Sequence, residues 1–204
     1  MSRIDDIIIA RTSASSYDSA RKLSDAEISE LIALAIQAPS AFNLQNWKFI
    51  AVTSGAAKAR LLPLACSQPK ITDAAVTFVI CGTLDPHVTL PAALKPTVDA
   101  GIISEEMYVS WLDAVTNMYP NNPVMARDEA VRSASMAAMT LMLAAQGRGL
   151  VSCPMIGFDA TGVAAMLELP ATEIPVMMVT VGYAAPGNWP KKPRRAVDSV
   201  LRIL

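Results

Sequence analysis

The chain has 204 residues, of which 52% are hydrophobic and 17% charged, and its formal net charge is −1 at pH 7. This length allows one substantial domain or two small ones, and the composition argues against long disordered tails, nucleic-acid binding and attraction to an anionic membrane. The start, MSRIDDIII, has acidic residues directly after its basic one and no cleavage site, and no apolar run reaches the ~20 residues of a membrane span, so we expect a soluble, cytoplasmic protein.

The first clear helix signal begins with SDAE, residues 24–27, which matches a capping box. Apolar residues then recur at helical spacing until Pro39 ends the helix near Ala38. Three further elements are predicted in the first half of the chain: a strand over 47–53, a short helix over 56–64 and a buried strand over 74–82.

The middle of the chain is less regular. The segment DPHVTLPAALKP, residues 85–96, is predicted to be a loop, and a helix capped by Ser104 follows it to Met118. A long helix over 125–146 is apolar on most faces and must therefore be buried, and glycines end it. The last predicted elements are an extended segment over 151–154, a helix capped by Asp159 that runs to Leu167, and a strand over 175–183.

No repeat or linker divides this pattern, and helices outweigh strands. The prediction is therefore one α+β domain over residues 1–204. A mean hydropathy of +0.36 and 11 methionines leave more apolar surface than a soluble monomer usually exposes in large patches. We expect a large apolar subunit interface, for which a two-fold dimer is the commonest arrangement.

The sequence contains no recognisable metal or nucleophile motif. His87 is the only histidine and lies between prolines, so a two-histidine site is excluded and a surface or interface position is expected. Cys66, Cys81 and Cys153 stand far apart without CxxC spacing, which argues against a disulfide framework and a thiolate zinc site. We expect these thiols to be buried structural groups.

Two segments are candidates for binding a phosphate. RTSASSY, residues 11–17, combines one guanidinium with four hydroxyls, which together suit phosphate oxygens, although a solvated serine-rich loop is the alternative. KKPRR, residues 191–195, places four bases on a stretch that proline stiffens. In a chain of net charge −1 this patch suits one dianionic phosphate better than a nucleic acid.

Two other segments are candidates for contacting the rest of a ligand. APSAFNLQNW, residues 38–47, offers amides that match a ligand edge of alternating donors and acceptors, or else serves turn formation and helix capping. In CPMIGFD, residues 153–159, Gly157 allows a backbone N–H to approach a ligand closely, unless it marks an ordinary turn between strand and helix.

Five motifs of this sequence occur together, in the same order, in a known family. They are Arg-x-Ser-x-x-x-aromatic, Ala-Pro-Ser-x-x-Asn-x-Gln-x-Trp, Gly-Leu-x-x-x-Pro-x-x-Gly-Phe-Asp, Pro-Val-x-x-x-x-x-Gly-Tyr and Lys-x-Arg. The sequence thereby resembles the FMN-dependent nitroreductase family, from Arg11 to about Val200. The resemblance implies a nitroreductase-like α+β fold with a central, mostly antiparallel sheet flanked by helices, assembled as an intertwined homodimer.

The resemblance places one group of residues against the isoalloxazine ring. The turn after the first helix contributes four of them, Pro39, Ser40, Asn43 and Gln45. Gln68 and Lys70 resemble the contacts to the flavin pyrimidine, where a cation would stabilise the anionic reduced flavin. The backbone of Ile156 and Gly157 is expected at flavin N5.

A second group is expected at the ribityl chain and the phosphate. The N-terminal segment supplies Arg11, Thr12 and Ser13. Lys192 and Arg194 would close on the phosphate from the tail, with Arg195 as a neighbour. Ser15 stands where the family often has Arg or Lys, so one positive charge is missing there. Arg195 would compensate for it.

The implied activity is that of an FMN-dependent NAD(P)H oxidoreductase. NADH or NADPH would give a hydride to the flavin, and a small electron-poor acceptor such as a nitroaromatic, a quinone or an activated alkene would then take the electrons in a ping-pong reaction. No side chain is expected to act as acid or base, because the flavin carries the chemistry. The homodimer would hold two FMN sites at the subunit interface, each built from both chains.

Two alternatives remain open at this point. One is a flavoenzyme of the same fold with another reaction, such as dehalogenation, oxidation of a heterocycle or flavin breakdown. The other is a dimeric protein that binds flavin or another phosphate ligand without turnover.

Overall fold

The computed structural model of the chain describes residues 3–204, within which eight α-helices and four strands form. The helices are α1 (Arg3–Ala10), α2 (Asp25–Ala35), α3 (Gly55–Leu64), α4 (Lys70–Asp73), α5 (Pro86–Asp99), α6 (Glu105–Met118), α7 (Pro123–Gly147) and α8 (Ala160–Met166). The strands are β1 (Trp47–Val52), β2 (Val76–Thr83), β3 (Val151–Met155) and β4 (Glu173–Gly182). Met1 and Ser2, which the predicted domain over 1–204 includes, lie outside the described residues.

The strands form one sheet in the order β1–β2–β4–β3, and every neighbouring pair is antiparallel. In the described sheet, β1 and β3 are therefore the edges, and β2 and β4 are central. Residues 76–82 of β2 are all buried, which explains why that strand reads as a continuous apolar run. The predicted α+β fold with an antiparallel sheet flanked by helices is confirmed.

Helices cover both faces of this sheet. Successive side chains of a strand point to opposite faces, so neighbouring residues of β2 belong to different cores. Phe78 packs with Leu141 in a core that α2 and α7 complete on one face. Val79 packs with Leu61 in a second core, to which α3, α4 and α8 contribute on the other face. The predicted burial of α7 is confirmed by its ten buried residues.

The prediction that residues 85–96 form a loop is wrong. Asp85 is the N-cap of α5 and residues 86–96 lie within this helix, which accommodates one proline at its first position and two in its interior. Leu90 and Leu94 are one turn apart and fully buried, and they pack with Val115 and Tyr119. Burial of these leucines outweighs the loss of backbone hydrogen bonds at the interior prolines.

The other predicted elements are confirmed, with ends that shift by up to three residues. No prediction covered α1 and α4. His87 lies half-buried in α5, and Cys66 is exposed, so the expectation of three buried thiols fails at that position. Among the described helices, none is both long and apolar enough to cross a membrane.

Candidate functional site

A cavity of about 260 Å³ lies between the segment that follows α1, strand β3 and the C-terminal tail. Its walls carry five cationic side chains, those of Arg11, Lys70, Lys191, Lys192 and Arg194. The rest of the lining comes from Thr12, Ser13, Ala14, Ser15, Cys153, Trp189 and Pro190. Within residues 3–204 no carboxylate lines this cavity, so its field favours an anion with several acceptor oxygens. We call it the basic cavity.

The sheet and the tail together hold the N-terminal wall of the basic cavity. Ser13 forms a parallel bridge with Ser152, so the segment adds to the outer side of β3. From the tail, the side-chain oxygen of Asn188 accepts hydrogen bonds from the backbone N–H groups of Ser15 and Ser16, at 2.7 and 3.0 Å. Backbone contacts thus position this wall and leave its side-chain hydroxyls available to bind a ligand in the cavity.

Arg11 contains a polar atom that fits a bound anion. Its Nη1 is buried and has no hydrogen-bond partner within the described part of the chain. A buried donor without an acceptor costs about 1–3 kcal/mol. Because Arg11 lines the basic cavity, a phosphate oxygen there would accept this hydrogen bond. The residues present therefore fit a ligand that carries a phosphate.

The tail supplies the opposite wall, though not with every predicted residue. Lys192 and Arg194 line the basic cavity, as does Lys191, whose ammonium donates to carbonyl oxygens in the last turn of α1. Arg195 does not line it and donates from Nη2 to the carbonyl of Ser199 at 2.8 Å. Its placement therefore gives no support to a role in replacing the charge missing at Ser15.

Of the predicted ring contacts outside the polar turn between α2 and β1, Lys70 lines the basic cavity, whereas Gln68, Ile156 and Gly157 do not. Lys70 begins α4, and its Nζ reaches within 3.4 Å of the Cys153 Sγ atom. The Gln68 Nε2 atom lies 3.8 Å from the point where a Cβ of Gly157 would stand. Ile156, next to that glycine, is 80% exposed and leaves an apolar surface open to a second molecule.

The polar turn between α2 and β1 holds Pro39, Ser40, Asn43 and Gln45. The Ser40 hydroxyl accepts a hydrogen bond from the Gln45 backbone N–H at 2.9 Å. Phe42, Asn43 and Gln45 all have positive φ, at 50, 54 and 49°. Such angles are uncommon outside glycine and cost of order 1–3 kcal/mol each, so the turn is held in a strained and specific conformation.

A single chain does not bring the polar turn to the basic cavity. The turn leads into edge strand β1 and the cavity lies on edge strand β3, three strand spacings or about 14 Å across the described sheet. Through Gly82, Trp47 is level with Ile174 of β4, whereas Cys153 is level with Thr180. The six residues from 174 to 180 add roughly 20 Å along the strand. The two groups occupy opposite corners of the sheet.

Five residues that line the basic cavity are not among the predicted site residues, namely Ala14, Cys153, Trp189, Pro190 and Lys191. Lys191 stood in the predicted basic cluster, but nothing in that cluster shows which of its bases face inward. Cys153 was assigned to the core, and no sequence signal separates a core thiol from one in a cavity wall. Asn188, which orients the N-terminal wall, also carries no such signal.

Known proteins resemble this chain in sequence and in fold. The model of the nitroreductase family matches residues 8–183. YodC of Bacillus subtilis (strain 168), described by its name as an NAD(P)H nitroreductase, is 34% identical over 179 residues, which cover 88% of each chain. The ydfN structure from Bacillus subtilis, described as a nitroreductase, has a TM-score of 0.91 at 29% identity and 98% coverage of both chains. A structure from Exiguobacterium sibiricum 255-15, solved in complex with FMN, has a TM-score of 0.92 at 24% identity, over 100% of this chain and 98% of the other.

Proposed function

The chain belongs to the nitroreductase family, and from that premise we propose that it binds FMN and transfers electrons from NADH or NADPH to nitroaromatics, quinones or similar electron-poor acceptors. Membership of this family confirms two predictions from the sequence, the family itself and the enzyme class of flavin-dependent NAD(P)H oxidoreductases. The observation that carries the proposal is the basic cavity with the unpartnered Nη1 of Arg11. We also propose the cytoplasm as its location, where nicotinamide nucleotides are supplied.

Three cations and three hydroxyls of the basic cavity would hold the phosphate and the ribityl chain. They are Arg11, Lys192 and Arg194, with Thr12, Ser13 and Ser15. Guanidinium groups bind phosphate oxygens in a bidentate manner, and hydroxyls complete the hydrogen bonding. Each of these side chains binds and orients, and none is assigned a proton transfer.

Lys70 would place positive charge at the ring end of the ligand. Bound FMN supplies a centre that accepts a hydride and passes two electrons to an acceptor, a chemistry that no side chain can replace. Beside it, Gln68 and the backbone of Ile156 and Gly157 would orient the ring. The exposed surface at Ile156 would admit the nucleotide and the acceptor in turn, so we expect ping-pong kinetics with parallel double-reciprocal plots.

We propose that the active form is a homodimer in which the polar turn of one subunit completes the cavity of the other. The support is geometric, since the turn and the cavity occupy opposite corners of the sheet. Apolar surface supports it too, because Ile4, Ile8 and Ile9 of α1 are about half exposed and the tail ends in exposed Ile203 and Leu204. Burying such surface between subunits is favourable.

The test is an anaerobic absorbance titration of FMN-loaded protein with NADH, and separately with NADPH. We expect at least one nucleotide to bleach the flavin band, and a nitroaromatic or quinone to restore it. Protein that binds FMN but is bleached by neither nucleotide would contradict the reductase proposal. In that case a flavoenzyme with another reaction, or a flavin-binding protein without turnover, would take its place.

A further inference from the structure

The floor of the basic cavity holds a thiol to which the proposed function gives no role. Cys153 lies in β3 and lines the cavity, and its residue surface is 5% exposed. The Sγ atom is 3.4 Å from the Lys70 Nζ and 3.6 Å from the carbonyl oxygen of Pro154. The thiol therefore combines access from a cavity with an adjacent ammonium group that can pair with negative charge developing on sulfur.

The two other cysteines lack this combination. Cys81 is fully buried in β2, and burial raises its pKa to about 12, so it stays a protonated thiol at neutral pH. Cys66 is exposed on the loop before α4 and does not line the basic cavity. Among the described cysteines, Cys153 alone stands in a cavity wall against a lysine.

We propose that Cys153 is an oxidation site that controls loading of the basic cavity. Hydrogen peroxide reaches the thiol when no ligand covers it, and the oxidised side chain then excludes the phosphate-bearing cofactor. The inference rests on the proposed function, because it takes the basic cavity to be the FMN site. It deepens that function by adding a control on how much of the protein holds its cofactor.

The chemistry needs only peroxide as a co-reactant. The sulfur attacks one peroxide oxygen, an S–O bond forms as the O–O bond breaks, and the second oxygen leaves as water with the thiol proton. Cys153 becomes a sulfenic acid, oxidised by two electrons, and a second peroxide yields a sulfinic acid and another water. The sulfinate would pair with Lys70, fill part of the cavity and repel an incoming phosphate.

The experiment uses the Cys66→Ser protein, in which Cys153 is the remaining thiol with access to solvent. One sample is loaded with FMN, the other is stripped of it, and both are treated with hydrogen peroxide. We expect peptide mass spectrometry to show oxidation of Cys153 roughly tenfold faster without FMN, because the bound cofactor covers the thiol. Treated protein should bind FMN roughly tenfold more weakly by fluorescence quenching, and dithiothreitol should reverse the sulfenic stage.

Cys153→Ser and Cys153→Ala, in the same background, are the matched variants. Their FMN affinity, whatever its starting value, should not change with peroxide. Equal oxidation of Cys153 with and without FMN, or an equal loss of affinity in these variants, would overturn the inference while leaving the FMN site intact. Untreated wild-type protein that binds no FMN would overturn the proposed function, and this inference with it.

Discussion

Arg11 is the residue on which phosphate binding in the basic cavity should depend most. Its buried Nη1 has no acceptor within the described chain, so a bound phosphate oxygen would satisfy a donor that the chain itself leaves unpaired. We expect Arg11→Ala to weaken FMN binding roughly ten- to a hundredfold, since hydrogen bonds to charged groups contribute about 1.5–3 kcal/mol. Fluorescence quenching of free FMN measures the affinity.

The matched control for that variant is Arg60→Ala. Arg60 lies in α3 and donates to the carbonyl of Met166, away from the basic cavity. Its removal takes the same charge from the chain but no group from the cavity wall. If both variants weakened FMN binding equally, the effect would be one of net charge, and the assignment of Arg11 to the phosphate would fail.

Lys70 should act on the potential of the bound flavin more than on its affinity. A cation beside the ring stabilises negative charge there, so Lys70→Met should make the midpoint potential of bound FMN more negative. Spectroelectrochemistry measures the potential directly. Lys95→Met, which removes a surface lysine paired with Asp99, is the control and should leave the potential unchanged. A potential that stays the same in Lys70→Met would remove the electrostatic role.

At the residue scale, the sequence allowed part of the site to be predicted. The resemblance assigns Arg11 and Arg194 to the phosphate and Lys70 to the ring of one ligand, and the fold brings all three into the lining of one cavity. The sequence could not show that Lys191 faces the cavity and Arg195 does not. Side chains on an irregular, proline-rich tail follow no period that fixes their direction. The inward direction of Lys191 depends on carbonyl groups of α1, which are distant in sequence.

At the scale of elements, the packing of α7 against β2 depends on Gly82. A Cβ at this position would stand 2.6 Å from the backbone oxygen of Ala130, which cannot move without moving the helix. Gly82→Ala should therefore lower the free energy of unfolding by about 1–3 kcal/mol, the usual range for overpacking. Chemical denaturation followed by circular dichroism measures the change.

Gly55→Ala provides the comparison for that prediction. Gly55 begins α3 and has open space around it, so alanine should fit and raise the free energy of unfolding by less than about 1 kcal/mol through its better helix propensity. Equal stability of the Gly82→Ala and Gly55→Ala proteins would contradict the close packing of α7 on β2 at Gly82.

The capping box of α2 should give the protein a specific sensitivity to acid. The Ser24 backbone N–H and hydroxyl donate to the Glu27 carboxylate, which lowers the pKa of Glu27 below its usual 4.5. Because the folded-state pKa is the lower one, the stabilisation is present above the unfolded-state pKa. It is lost as pH falls through the folded-state value.

Glu27→Gln should therefore flatten the dependence of stability on pH. Between about pH 6 and pH 3, wild-type protein should lose more unfolding free energy than the variant, as measured by urea denaturation at each pH. Glu106→Gln controls for loss of a carboxylate from the first turn of another helix. Equal slopes for wild type and Glu27→Gln would contradict the role of the box.

Local signals predicted most elements but failed at α5. The capping box of α2, the glycine stops and the apolar periods act within a few residues, so they are readable from sequence. The three prolines of α5 indicate a loop by the same local rules. What stabilises the helix is burial of Leu90 and Leu94 against α6, a contact between distant segments that no local pattern contains.

At the scale of the whole molecule, the proposed site requires two chains, because one chain holds its two groups of residues far apart. In the sequence, only α2 and its flanking loops lie between the cavity wall at residues 11–15 and the turn at residues 39–45. In the fold, the wall and the turn lie at opposite corners of the sheet. The apolar excess predicted an interface, but composition could not say which residues it would unite. A two-fold axis would bring one subunit's turn to the other subunit's cavity.

The most direct test of this arrangement is complementation between two variants. Arg11→Ala alters the cavity and Asn43→Ala alters the polar turn, and we expect each variant alone to have little NAD(P)H-dependent quinone reductase activity. Co-expression with different affinity tags yields the mixed dimer, in which one site carries both changes and the other carries neither. The account predicts recovery of about half the wild-type activity and one tightly bound FMN per mixed dimer. A mixed dimer as inactive as its parents would show that each site lies within one chain.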